Sequence, residues 1–562
     1  MTLRALFDED WEWRKREYPE LATQLGDHRW DDRLTDHSFE AIERRKAHER
    51  GMLERVRRID RGGLAGEDRL SCDLFLRAKE LLVEGLRWPQ ELIPVTQMAG
   101  IHLALPRLST IMPFRNARDC ESYVARLRAF PRAVEQTLAL MRRGMEAKWV
   151  PPAVPLRGLP AQIRSQLADD PTRSVLFAPF RRLSAGIPAA ERDRLAAAGA
   201  AAIGESVAPA LRALAEFVER DYLPACRESI AASALPDGEA YYAHAVRRET
   251  TTRLTPAEVH AIGLSEVARI RGEMQAVIQQ VGFGGSFAEF VAFLRSDPRF
   301  YFTRSEDLIT AYRDVAKRAD AELPALFAVL PRQPYGVREI PAHEGPAQPA
   351  AYYQRGAPDG SRAGFFWANT YKLDTRPKYE MEALTLHEAV PGHHLQIARA
   401  AELGDLPDFR RNTGPTAYVE GWALYAEWLG YEMGFYTDPY ARFGQLTYEM
   451  WRAGRLVVDT GLHALSWTRQ RAIDFLEEST AKTANDIAVE VDRYIVWPGQ
   501  ALAYKIGELE IRRLRREAEA ALGERFDLRS FHTALLDEGA LPLDVLARHV
   551  DGWIAARKGG AG

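Results

Sequence analysis

Two histidines six positions apart, His387 and His393, set the strictest condition on how this chain can fold. They lie in Met381-Glu-Ala-Leu-Thr-Leu-His387-Glu388-Ala389-Val390-Pro391-Gly392-His393-His394-Leu395-Gln396, and the stretch from 380 to 390 is made of good helix formers. One turn after His387 on an unbroken helix stands Pro391, which cannot bind a metal. His394, seven places on, would share the face of His387 but sit about 10 Å along the axis. Two ligands on one zinc, with bonds of about 2.0–2.1 Å, cannot be that far apart. If two of these imidazoles grip one ion, the helix must break between them. Pro391-Gly392 suits that break, because proline removes a helix hydrogen bond and glycine tolerates unusual dihedrals. With two residues bulged out, His393 moves into the place of an i+4 ligand. His394 then points elsewhere, toward substrate.

An imidazole, a glutamate beside it and a second imidazole follow the logic of the H-E-x-x-H pattern, in which the glutamate is general base toward a water on the metal. A third ligand is needed. Glu420, in Thr416-Ala-Tyr-Val-Glu420-Gly-Trp-Ala-Leu-Tyr-Ala-Glu427, follows His393 by 27 residues. That spacing lets one helix finish, turn at Gly404-Asp405-Leu406-Pro407 and return as a second helix beside the first. Two histidines and one glutamate with a position left for water is the layout of a catalytic zinc, and zinc is the expected cofactor, with Mn or Co able to substitute. A lone His-Glu pair is usually a solvated helix face. Here it comes with two further histidines, a helix-breaking Pro-Gly, an aromatic strand before it and a glutamate helix after it. Glu427, two turns past Glu420, is open between a solvated or supporting carboxylate and a functional one.

Most of the remaining chain reads as helix. Thr255-Pro256-Ala257-Glu258 combines a cap residue, proline at the first helical position and a capping-box glutamate. Val259, Ile262, Ile270, Met274, Val277 and Val281 then form one stripe, and Gly282, Gly284 and Gly285 stop it. Ser286–Glu289 opens a second helix that ends before Pro298, Ser305 opens a third reaching about Pro324, and the Ala-rich stretch 188–220 is helical. Pro151, Pro152, Pro155 and Pro160 mark a connection. Between 335 and 371, Ala350–Tyr353 and Gly364–Ala368 read as strands of a small sheet. The expected organisation is a helical N-terminal lobe over 1–240 and a catalytic lobe over 241–562.

Composition narrows the partners. Lys+Arg number 75 against Asp+Glu 79, a net charge of −4 that gives no reason to expect nucleic-acid or anionic-membrane binding. Three scattered cysteines support neither a disulfide framework nor a Cys-based metal site. No leader-like segment opens the sequence and no apolar run approaches bilayer length, so the expected location is cytoplasmic.

Four blocks resemble the bacterial DUF885 proteins. They are His387-Glu-Ala-Val-Pro-Gly-His393-His-Leu-Gln, Tyr418-Val-Glu420-Gly-Trp-Ala-Leu-Tyr425-Ala-Glu427, Glu490-Val-Asp-Arg-Tyr494-Ile-Val-Trp-Pro498-Gly-Gln500-Ala-Leu-Ala-Tyr504-Lys-Ile-Gly507 and Arg455-Leu-Val-Val-Asp459-Thr-Gly-Leu-His463. The family's HExxPGH motif favours His393 over His394 as ligand. The resemblance implies a mainly α, zincin-like (gluzincin-type) metallopeptidase fold of two lobes with a deep cleft and a small sheet beside the metal-binding helix. It implies His387, His393 and Glu420 as zinc ligands and Glu388 as base. For the oxyanion, Tyr504 and His463 are the candidate donors, and Asp459 is a candidate to receive the far N–H of a ligating histidine. The strand Gly364–Thr370 could hold an extended peptide by edge addition, with Asn369 touching substrate. The expected activity is zinc-dependent cleavage of short peptides. The alternatives are a metal-dependent amidase on non-peptide amides, a catalytically silent helical binding protein, and a carboxylate-bound iron site using Glu427.

Overall fold

The computed structural model describes residues 2–342, 345 and 348–559 of the 562. It is mainly helical, with a small three-stranded sheet. The chain divides into two compact units, one up to Ile230 together with Ala234–Gly238, the other Ala231–Ser233 and the chain from Glu239 on.

In the first unit the longest helix is Ala117–Ala147, capped by the Asn116 side chain, which accepts from the Asp119 N–H. Tyr123, Leu127, Phe130, Val134, Leu138 and Met141 recur at helical spacing and form its buried stripe. Arg126 on the same helix is fully buried and donates to the carbonyl oxygens of Arg33, Pro19 and Trp30 and to the Thr23 hydroxyl. The Ala-rich stretch forms helices Ala189–Ala202 and Ala208–Phe217, and the proline cluster runs into two short helices, Ala153–Leu156, which contains Pro155, and Leu159–Arg164, which has Pro160 in its first turn.

The second unit holds the candidate site. Its helix Pro256–Gln280 starts on a complete capping box between Thr255 and Glu258, and Phe287–Ser296 starts on another between Ser286 and Glu289. Ile270, Met274, Val277 and Ile278 pack with Phe290, Leu294, Phe443, Leu446 and Met450 into a core that binds the first of these helices to the long helix Pro439–Ala464. Ser305–Leu326 lies against the first strand.

The strands are β1 (Tyr335–Glu339), β2 (Ala351–Gln354) and β3 (Gly364–Ala368), in spatial order β1-β3-β2. β3 runs parallel to β1, with Phe366 opposite Val337, and antiparallel to β2, with Phe366 opposite Tyr353. This corrects the expectation of edge addition at Gly364–Thr370. β3 is the central strand, hydrogen-bonded on both sides, and the edges belong to β1 and β2.

Two helices meet backbone to backbone beneath the site. Thr416–Leu429 and Ala503–Leu522 cross where Gly421 faces Gly507. A Cβ on Gly507 would lie 1.8 Å from the Ala417 carbonyl oxygen, and one on Gly421 would lie 2.5 Å from Gly507 Cα. Neither position can carry a side chain without driving the helices apart. Gly507→Ala is therefore expected to destabilise the protein by at least about 2 kcal/mol, overpacking outweighing the better helix propensity of alanine. Gly272, on the helix Pro256–Gln280, has nothing within 4 Å of its virtual Cβ. Gly272→Ala should raise stability by about 0.5–1 kcal/mol. Denaturation midpoints of the two variants should move in opposite directions.

Candidate metal centre

The helix Met381–Glu388 ends where Ala389 turns to φ −97°, ψ −111°, and a new helix, His393–Ala401, begins after Gly392 at φ −75°, ψ −129°. A Cβ on Gly392 would stand 2.0 Å from the His387 carbonyl oxygen, so only glycine allows the chain to fold back so closely. The break is bonded, not loose. The His394 N–H donates to the Ala389 carbonyl at 3.1 Å, and the Trp422 indole N–H donates to the Pro391 carbonyl at 2.9 Å.

The break brings the His387 and His393 rings to 4.7 Å between centroids, nearly perpendicular at 85°. Glu420, on Thr416–Leu429, puts Oε2 at 3.7 Å from His387 Nε2 and 3.4 Å from His393 Nε2. The ligand atoms of the three residues all lie within 4.8 Å of one another. A tetrahedral ion with bonds of about 2.0–2.1 Å needs its ligand atoms about 3.4 Å apart. Glu420 Oε2 is buried without a hydrogen-bond partner among the described residues, as an atom reserved for a cation would be. The His393 and Glu420 side chains keep 11% and 18% exposure, so the ligand side is reachable from solvent, whereas His387 is closed off. The donor set and spacing fit zinc.

His387 is oriented from behind. Its Nδ1 is 2.8 Å from Glu427 Oε1, on the next-but-one turn of the helix that carries Glu420. That contact makes Nδ1 the donor and leaves the Nε2 lone pair for a metal. Arg452 Nη2, 3.3 Å from the same Glu427 oxygen, steadies the fully buried carboxylate. Burial alone would depress the His387 pKa, but the neighbouring carboxylates of Glu420 and Glu427 outweigh it and push the imidazole up to about 9. Burial would raise the Glu420 carboxyl, but the adjacent imidazoles of His393 and His387 hold it well below the usual carboxylate range. Glu388, next to His387, is 8% exposed and makes no hydrogen bond among the described residues.

The other candidates lie elsewhere. His394 does not face a substrate path. Its Nε2 donates to the Gln333 carbonyl at 3.1 Å, its Nδ1 accepts from the Tyr353 hydroxyl at 2.9 Å, and burial lowers its pKa to about 4. It ties the second ligand helix to the sheet. Asn369, 1% exposed, donates to the carbonyls of Gly345, Gln348 and Pro349 and accepts from the Tyr371 N–H, so it secures a loop. His463 is fully buried. Its Nδ1 accepts from the Ala232 N–H at 3.0 Å and its Nε2 donates to the Tyr494 carbonyl at 2.9 Å, which leaves no proton for an oxyanion. Asp459 accepts from the Tyr242 hydroxyl and the Gly499 N–H, and burial lifts its carboxyl to about 7. The carboxylate expected there behind a ligating histidine is Glu427 instead. Tyr504, 7% exposed, accepts from Arg493 Nη2 at 3.1 Å. Arg452 carried no signal of its own in the sequence. Glu427 had one, since seven residues from Glu420 is the same helix face.

A family model described as "Bacterial protein of unknown function (DUF885)" matches residues 19–550. No curated protein matches the chain. Among solved structures, the putative lipoprotein from Colwellia psychrerythraea is 29% identical, with a TM-score of 0.94 over 98% of each chain. A putative lipoprotein of unknown function from Shewanella oneidensis is 16% identical, with a TM-score of 0.72 over 98% of this chain and 99% of that one, a likeness of fold alone. The first of these overturns the expectation of a cytoplasmic location, because a chain alike over nearly its whole length is described as a lipoprotein.

Replacing Glu427 with Gln should lower zinc affinity about 10–100-fold, measured by competition with a chelator, while the helical circular dichroism stays unchanged.

Proposed function

We propose that this chain, which belongs to the DUF885 family of bacterial proteins, is a zinc-dependent hydrolase that cleaves short peptides, built on a gluzincin-like fold. The observation that carries the reading is the convergence of His387, His393 and Glu420 across a helix break, with Glu388 left unbonded beside them. A zinc ion held by those three side chains supplies a Lewis acid that acidifies water and polarises a carbonyl.

The chain's own residues do the rest. Glu388, adjacent in sequence to a ligand and free of other hydrogen bonds among the described residues, takes the proton from the attacking water and hands it to the leaving amine. Glu427 keeps His387 in the tautomer that presents Nε2. Tyr504 accepts from Arg493 and so has its own hydroxyl proton to offer a developing oxyanion. β2, an edge strand packed against the helix Met381–Glu388, is the strand that can take an extended peptide by main-chain pairing. The likeness to a putative lipoprotein favours a place of action outside the cytoplasm.

Glu388→Gln should retain stoichiometric zinc and lose about 10²–10⁴-fold in kcat on a mixed peptide library. His393→Ala should lose the zinc as well. Undiminished turnover in Glu388→Gln removes the base assignment, and a zinc-loaded wild type that cuts no peptide removes the peptidase reading.

A further inference from the structure

Away from the three ligands, the second unit holds two guanidinium groups that share one carboxylate. Arg455, on Pro439–Ala464, is 3% exposed. Its Nη2 donates to Glu490 Oε2 at 3.0 Å and its Nε to the Tyr494 hydroxyl at 3.1 Å. Its Nη1 is buried and has no hydrogen-bond partner among the described residues. Arg493 draws on the same carboxylate, with Nη1 3.2 Å from Glu490 Oε2. The ring of Tyr504 lies 4.3 Å from the Arg455 guanidinium carbon, and that of Trp451 lies 4.7 Å from it.

The charges here do not balance. Arginine does not give up its proton in a protein, so two fixed positive charges meet one negative charge. The other charged groups nearby are already engaged. Lys482 is paired with Glu380, Arg452 with Glu427, and Asp459 accepts from Tyr242 and Gly499. A buried positive charge with an unused donor is costly to maintain unless an anion completes it.

Two separate chains of contact link this cluster to the metal centre. Arg452, one helical turn before Arg455, is bonded to Glu427 and through it to His387. Tyr504 stands one turn before Gly507, whose backbone touches Ala417 and Gly421 on either side of Glu420. Trp451, whose ring lies against the Arg455 guanidinium, and Arg493 are partly exposed.

We propose that Arg455 Nη1 receives a carboxylate of the substrate, so that the preferred substrate is a short peptide with a free carboxylate within one or two residues of the bond that is cut. A residue spans at most about 3.3–3.6 Å of extended chain. An anchor stacked on the ring of the oxyanion donor therefore holds that carboxylate within one or two residues of the bond that is cut. This rests on the hydrolase reading above and deepens it. The shared chemistry is the carboxylate group, and its source is either the chain terminus or an acidic side chain.

The binding test uses zinc-loaded protein in the Glu388→Gln background, so that the probe survives. N-acetylglycylglycine should bind about tenfold or more tightly than its C-terminal amide by calorimetry. Arg455→Met should erase the difference, and Arg455→Lys should keep part of it. Arg455→Met leaves Glu490 paired with Arg493, a balanced couple, so the variant buries no lone charge. Equal binding of acid and amide, or a preference that survives Arg455→Met, overturns the proposal even if either variant folds poorly, because the first comparison needs no change at Arg455. In the turnover arm, wild type is given matched peptide acids, neutral amides and amides bearing a C-terminal aspartate. Preference for the free acid assigns the terminus, and equal use of the aspartyl amide assigns a side chain. Neutral amides cut as fast as acids overturn the anchor. If no peptide is cut at all, the peptidase reading fails, and the binding arm still decides the carboxylate site.

Discussion

Nothing larger than hydrogen fits on the α-carbon of Gly392. The His387 carbonyl oxygen occupies the space where a side chain would begin. That one steric condition ends one helix and starts the next within a few residues, and it turns a six-residue separation into a shared coordination sphere. The surrounding contacts serve the same geometry. Trp422 holds the Pro391 carbonyl, His394 is pinned to the sheet, and Glu427 with Arg452 fixes the first imidazole from behind. The fold around the candidate site is best understood as support for a sharp backbone reversal that would otherwise relax.

What could be read from the residue pattern was local. The capping boxes at Thr255 and Ser286, the stripe from Val259 to Val277 and the helix-breaking Pro-Gly depend on neighbours a few positions away, and the structure places them where the pattern does. The meeting of His387, His393 and Glu420 follows from the same short-range logic applied to two adjacent helices. Long-range facts were not legible in this way. The ring nitrogens of His463 are taken by Ala232, 231 residues earlier, and by Tyr494, 31 residues later. Strand β1 inserts beside β3 from across an intervening strand, which removes the edge that the aromatic run suggested. Asn369 reads as a substrate contact in sequence only because the carbonyls it serves are about twenty residues away.

Charge organises the second unit as firmly as apolar burial does. Carboxylates cluster around the imidazoles, where a cation would be welcome, while around Glu490 the guanidiniums of Arg455 and Arg493 exceed the carboxylates. Buried Lys505, set among Glu266, Glu449 and Glu508, adds a further ionic node on the helix that carries Tyr504. Such groups tolerate little displacement, because each is bonded in several directions at once.

The glycine-to-glycine crossing of Thr416–Leu429 and Ala503–Leu522 has a mechanical corollary. With no side chains to act as bearings, the two helices cannot slide or roll over one another, and the rungs bearing Glu420 and Tyr504 are indexed like teeth on locked gears. Any motion around the candidate site must be borne by other segments, with this pair as the stationary frame against which they move.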